Sequence, residues 1–171
     1  MVLQYLVVAS VLLVTPTLGE QSGDGLSPYY ATPYCGLHCI YAAARLLGRS
    51  PAFESIVSAE YCDQRGSSLM QLKRAAEALG LCAQPLRSLN ASFLRRTDHI
   101  LVLHVKKDFD SRSANHYILL LDAPDDETAV IYDPPAPPKS VTMGSLLARW
   151  DGTGLAVSGA PISHLSILAS T

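Results

Sequence analysis

The order of hydrophobic periods constrains what this chain can fold into more than any other feature: helix-period segments come first and strand-type runs second. Apolar residues recur at helical spacing through Leu37, Ile40, Tyr41, Ala44 and Leu47, with Gly48 as a stop signal. A second such segment runs from Leu69 to Leu79, where Ser68 and Gln71 form a capping-box pattern and Gly80 ends the element. Further helices are predicted near Ala52 to Glu60, Ser92 to Arg96 and Met143 to Trp150. Strands are predicted near Ala83 to Leu86, Ile100 to Val105, His116 to Leu121, Ala129 to Tyr132, Ser140 to Val141 and Leu155 to Val157. Helices followed by strands argue for an α+β fold, with N-terminal helices packed on a mainly antiparallel sheet.

Tyr5 to Val14 is almost wholly apolar, and Thr17 and Gly19 fall in the minus-three and minus-one pattern of a cleaved export signal, so residues 1–19 are read as a signal peptide. No basic n-region precedes the run, the first Lys or Arg being Arg45. The run falls short of the ~20 residues that span a bilayer, and no later stretch qualifies. Residues 20–171 then form one domain with room for a core, placed in the periplasm, outside the cell or at a membrane. Thirteen basic against 15 acidic residues, without a basic stripe, leave no footprint for nucleic acid. Neither a GxxxxGK[ST] loop nor a GxGxxG stretch is present.

Three short segments carry the chemistry: Tyr34-Cys35-Gly36, Asn115-His116-Tyr117 and Tyr132-Asp133-Pro134. A cysteine is a strong nucleophile at neutral pH only as thiolate, so it needs a histidine beside it and a third group to hold that histidine's tautomer. Cys35 opens the first helix, where unpaired N–H groups and the positive end of the dipole lower a thiol's pKa and could hold an oxyanion. The alternative for Cys35 is a buried, inert thiol. His116 opens a strand, a position that exposes an imidazole in a cleft. Asp133 ends a strand and precedes Pro134 and Pro135, which pushes its backbone out of the helical region and fixes its carboxylate's direction. Viewed alone, Asp133 reads equally well as a solvated turn residue. His38, His99, His104 and His164, each taken alone, read as structural.

Taken with Gly48, the Gly66-Ser67-Ser68-Leu69 turn and the Ala78-Leu79-Gly80-Leu81 ending, these residues resemble in order and spacing the peptidase C39 family. These are papain-like cysteine proteases, best known as N-terminal processing domains of bacteriocin-exporting ABC transporters. The resemblance covers about Tyr34 to Gly159. It implies a papain-like fold and hydrolysis of peptide bonds by a Cys35-His116-Asp133 triad, with leader or exported peptides as substrates. The ATPase and membrane halves of such exporters are absent from this sequence, so the resemblance implies a separate export system as partner. No cofactor and no metal are implied.

The family usually carries a glutamine shortly before the cysteine, whose amide donates into the oxyanion hole, and this chain has Tyr29 there. A hydroxyl from Tyr29 or Tyr30 offers one fewer proton, and losing one such donor typically costs about 10²- to 10³-fold in turnover. The alternative reading is therefore a catalytically weak or inactive peptide-binding module. A third is acyl transfer by the same triad, with an amine replacing water.

Four cysteines in an exported chain invite a disulfide reading, and with Cys35 free, Cys39, Cys62 and Cys82 allow at most one pair, whose identity stays open. Cys35 and Cys39 lie one helical turn apart, which also admits a redox pair or half a metal site. No CxxC and no second ligand cluster accompanies them, so Cys39 reads as core. Trp150 and Gly152 are assigned to packing.

Overall fold

The computed structural model describes residues 33–107 and 116–162. Tyr29, Tyr30, Asn115, His164 and the signal-peptide reading lie outside the described residues. The described residues contain four α-helices, α1 (Cys35–Leu46), α2 (Leu69–Ala78), α3 (Ala91–Arg96) and α4 (Met143–Arg149). Six strands accompany them: β1 (Cys82–Leu86), β2 (Ile100–Val105), β3 (His116–Asp122), β4 (Thr128–Tyr132), β5 (Lys139–Thr142) and β6 (Trp150–Ser158). They form one antiparallel sheet in the order β1-β6-β2-β3-β4-β5.

Both faces of this sheet are covered, which explains why its central strands read as nearly continuous apolar runs rather than alternating ones. Tyr117 and Leu119 of β3, Val102 of β2 and Leu155 and Val157 of β6 face the core beneath α1 and α2. Ile118, Leu120, Leu101 and Leu103 join Phe93 and Leu94 of α3 and Met143 and Leu146 of α4 on the other side. Each fully buried Leu or Phe contributes about 1.5–3 kcal/mol of transfer free energy.

The helix carrying Cys35 packs across β3 and against α2. Leu37, Ile40, Ala43 and Ala44 are fully buried on its inner face, and Gly48, at φ 76, ends it in the left-handed conformation that glycine adopts without strain. Gly36 sets how closely α1 approaches: a Cβ there would lie 2.8 Å from Leu72 Cδ2 and 3.1 Å from Tyr117 Cδ2.

Two predicted elements differ. The helix expected from Ala52 to Glu60 is only a 3-10 turn, Phe53–Ile56. Ser55 Oγ donates to the Ala52 carbonyl at 2.7 Å and the Val57 N–H donates to the Glu54 carbonyl at 3.2 Å, local bonds that compete with a regular helix. The Phe53 ring stacks on His38 at 4.3 Å and meets Tyr41 edge-on, so tertiary contacts tie the segment to α1. Trp150, expected to end a helix, begins β6 and pairs with Val105.

Candidate active site

Strand order gathers the candidate site residues at one end of the sheet. His116 is the first residue of β3, and β4 runs antiparallel to β3, so Asp133, just past the end of β4, arrives beside it. The start of α1 lies over the same end because Gly36 packs on Tyr117.

The N-cap of α1, Tyr34, makes no side-chain cap hydrogen bond. Each of the other three described α-helices has one: Ser68 accepts from the Gln71 N–H, Asn90 from Phe93 and Thr142 from Ser145. The Tyr34 side chain therefore does not occupy the first-turn N–H groups of α1, and the N–H of Gly36 is offered to the Cys35 thiol at the positive end of the helix dipole. Burial pushes the thiol's pKa up. The hydrogen bond and charge of His116, with the N–H groups of Tyr117 and Gly36, outweigh it and hold the pKa below the ordinary thiol value.

His116 is 6% exposed, and its Nε2 lies 2.7 Å from Asp133 Oδ1. A carboxylate only accepts, so Nε2 carries a proton, and in the neutral form of the ring Nδ1 is the nitrogen with the lone pair. That Nδ1 is buried and has no partner of good hydrogen-bond geometry. Cys35 nevertheless interacts with the ring and favours its charged form. Burial opposes the charged imidazolium, but Asp133 and Cys35 raise the pKa of His116 to about 9. Asp133 in turn is held below the usual carboxylate range against the effect of burial, chiefly by His116 and then by the charges of Lys139 and Arg149. Arg149 also ties down the end of β2, donating from Nε to the Lys106 carbonyl at 2.9 Å and from Nη2 to the Lys107 carbonyl at 3.1 Å.

All four cysteines are free thiols. Cys39 is wholly buried, and burial raises its pKa well above the ordinary value. Cys62 donates to the Pro33 carbonyl at 3.6 Å, beside the start of α1. Among the described residues, no group of three or more His, Cys, Asp or Glu side chains could hold a metal ion.

One pair escapes sequence reasoning. His104 Nδ1 lies 2.7 Å from Asp151 Oδ2, and Asp151 Oδ1 accepts from the Thr153 N–H and hydroxyl at 2.9 and 2.6 Å. Nothing in the linear pattern links positions 104 and 151; only the β2–β6 register brings them together.

Helices laid on an antiparallel sheet, with a thiol at a helix start facing an imidazole–carboxylate pair at strand ends, define the papain-like class. Within it, the chain belongs to the peptidase C39 family, which it matches over residues 31–161. It resembles a solved double glycine motif protease from an AMS/PCAT transporter in complex with the leader peptide, with a TM-score of 0.63 and 17% identity over 74% of this chain and 84% of that one. The peptidase domain of Streptococcus ComA, a bi-functional ABC transporter of a quorum-sensing pathway, gives 0.64 and 16% over 74% and 91%. The N-terminal C39-like domain of a toxin secretion ATP-binding protein from Vibrio parahaemolyticus gives 0.58 and 19% over 72% and 95%. At these identities the likeness is one of fold. No curated protein sequence matches the chain.

Proposed function

We propose that the protein is a cysteine peptidase acting through Cys35, His116 and Asp133. The observation that carries this reading is the His116–Asp133 hydrogen bond of 2.7 Å, which leaves the opposite ring nitrogen, Nδ1, without a hydrogen-bond partner and coupled to Cys35. In the reaction, the Cys35 thiolate attacks the peptide carbonyl carbon and the electron pair moves to the oxygen. The backbone N–H at the start of α1 stabilises that oxyanion. His116 then protonates the leaving amine, giving a thioester. Water, deprotonated by His116, cleaves the thioester and returns the thiol. Asp133 orients the imidazole and stabilises its charged form throughout.

The substrate we propose is a leader or exported peptide, on the strength of the double glycine motif and leader peptide named for a structural relative. Reading residues 1–19 as an export signal puts that encounter outside the cytosol. Tyr29, where the family usually has glutamine, favours a second reading, a module that binds peptides without cutting them.

Incubating the protein with a leader peptide containing Gly-Gly, beside the Cys35→Ala variant, separates the two. Cleavage by the parent alone supports the peptidase. Equal binding by both proteins, with no product and an unreactive Cys35 toward iodoacetamide, overturns it in favour of the binding module.

A further inference from the structure

The His104–Asp151 pair lies at the same end of the sheet as the candidate active site, with His104 beside Tyr117, which packs beneath α1. His104 stands directly opposite Tyr117 in the β2–β3 register, and the two rings lie 4.9 Å apart. Tyr117 in turn packs beside Gly36 and offers its N–H to Cys35. A chain of direct contacts thus runs from the thiol through Tyr117 to His104 and Asp151.

A simple cross-strand pair would leave the ladder regular, but here the β2–β6 register shifts between Leu103 and Val105, around His104. On the facing strand, Gly152 takes φ 77 and Asp151 turns back to accept both Thr153 donors. Irregularities of this kind re-aim side chains and cluster next to active sites. The pair is also more open than its counterpart: the side chains of His104 and Asp151 are 24% and 35% exposed, against 8% and 20% for His116 and Asp133.

The geometry points to a specificity subsite at His104 and Asp151, one that receives a basic side chain of the bound peptide. Asp151 sits on Nδ1 of His104, so in the neutral form of the imidazole Nε2 is the lone-pair nitrogen, and the carboxylate supplies the negative charge that a basic side chain would meet. A lysine or arginine meets a preset acceptor and a partly exposed carboxylate there. This deepens the peptidase reading and rests on it for the ligand's being a peptide.

The test uses Cys35→Ala protein, so that turnover cannot intervene, and blocked octapeptides centred on Gly-Gly. Lys, norleucine or Glu is placed at each flanking position in turn, and binding is measured by calorimetry. At one position the Lys peptide should bind about tenfold more tightly than its norleucine isostere, as expected for a hydrogen bond to a charged group. Asp151→Asn should bring that ratio close to one. His104→Phe, which keeps a ring against Tyr117, is the second variant should the first fail to fold. Absence of any Lys preference overturns the subsite, as does a preference that survives both substitutions while only Tm falls, the mark of a structural pin. With the parent protein, cleavage lacking Lys preference overturns the subsite alone. Lys-selective binding without any cleavage supports the subsite and overturns the peptidase reading.

Discussion

Gly36→Ala sets two effects of similar size against each other beside the candidate nucleophile. Replacing a helical glycine by alanine ordinarily stabilises by about 0.5–1 kcal/mol. Here the added methyl would lie 2.8 and 3.0 Å from the two Leu72 methyl groups and 3.1 Å from Tyr117 Cδ2. Leu72 is fully buried and Tyr117 is hemmed in by His104, so neither side chain has open volume to retreat into. Overpacking of this kind costs about 1–3 kcal/mol. Packing wins, with a net loss of about 1–2 kcal/mol that lowers Tm by roughly 2–8 °C for a domain of this size. The strain is relieved by lifting the first turn of α1 off β3, which carries Cys35 away from His116 and slows its alkylation. Melting curves and iodoacetamide rates at pH 7 read both effects. Leu72→Ala makes room, so in that background the cost of Gly36→Ala should disappear, a coupling that a double-mutant cycle isolates. A Gly36→Ala protein as stable as the parent, with unchanged thiol reactivity, would refute the close contact and the positioning role drawn from it.

His116→Ala removes the main influence that lowers the Cys35 pKa and leaves burial opposed only by two backbone N–H groups, so the midpoint of the alkylation rate should move to higher pH. An unmoved midpoint would show that the imidazole does not face the thiol. Asp133→Asn deletes the largest contribution raising His116: the parent ring holds its proton from the ordinary 6.5 up to about 9, and in the variant the NMR midpoint should fall, taking the alkaline limb of any turnover with it. Arg149→Gln removes a charge acting on Asp133 and two bonds to the end of β2, so the Asp133 carboxyl should titrate at higher pH than in the parent. Carboxylate chemical shifts followed through the acid range would read it, and an unchanged midpoint would limit Arg149 to bracing the backbone.

Much of the fold can be read from local pattern, for reasons that its elements make plain. β2 and β3 are buried on both faces, so Ile100–Val105 and His116–Asp122 stand out as apolar runs with nearly their true limits. α1 and α2 carry their own stop signals in Gly48 and Gly80, both at positive φ. The failure at Ala52 to Glu60 arises because Phe53 is held by His38 and Tyr41 on another helix, contacts that a local period does not encode. The candidate site divides along the same line. Thiol, imidazole and carboxylate each have a local signature at an element's end, whereas the assignment of Nε2 to Asp133 and Nδ1 to the thiol's side depends on strand order. His104 and Asp151 are illegible in sequence because a register shift, and no motif, unites them.

With no side-chain cap from Tyr34, the start of α1 sets fold stability against thiol reactivity at position 34. A Ser or Asp there would supply the cap that the other α-helices possess, worth about 0.5–2 kcal/mol. The same oxygen would compete for the N–H groups of the first turn, and an aspartate would add a negative charge beside a thiol whose pKa is held below its ordinary value. A screen for thermostability alone would therefore favour replacements of Tyr34 that silence the chemistry. A screen that also scored thiol reactivity would instead favour residues at position 34 whose side chains do not cap the helix.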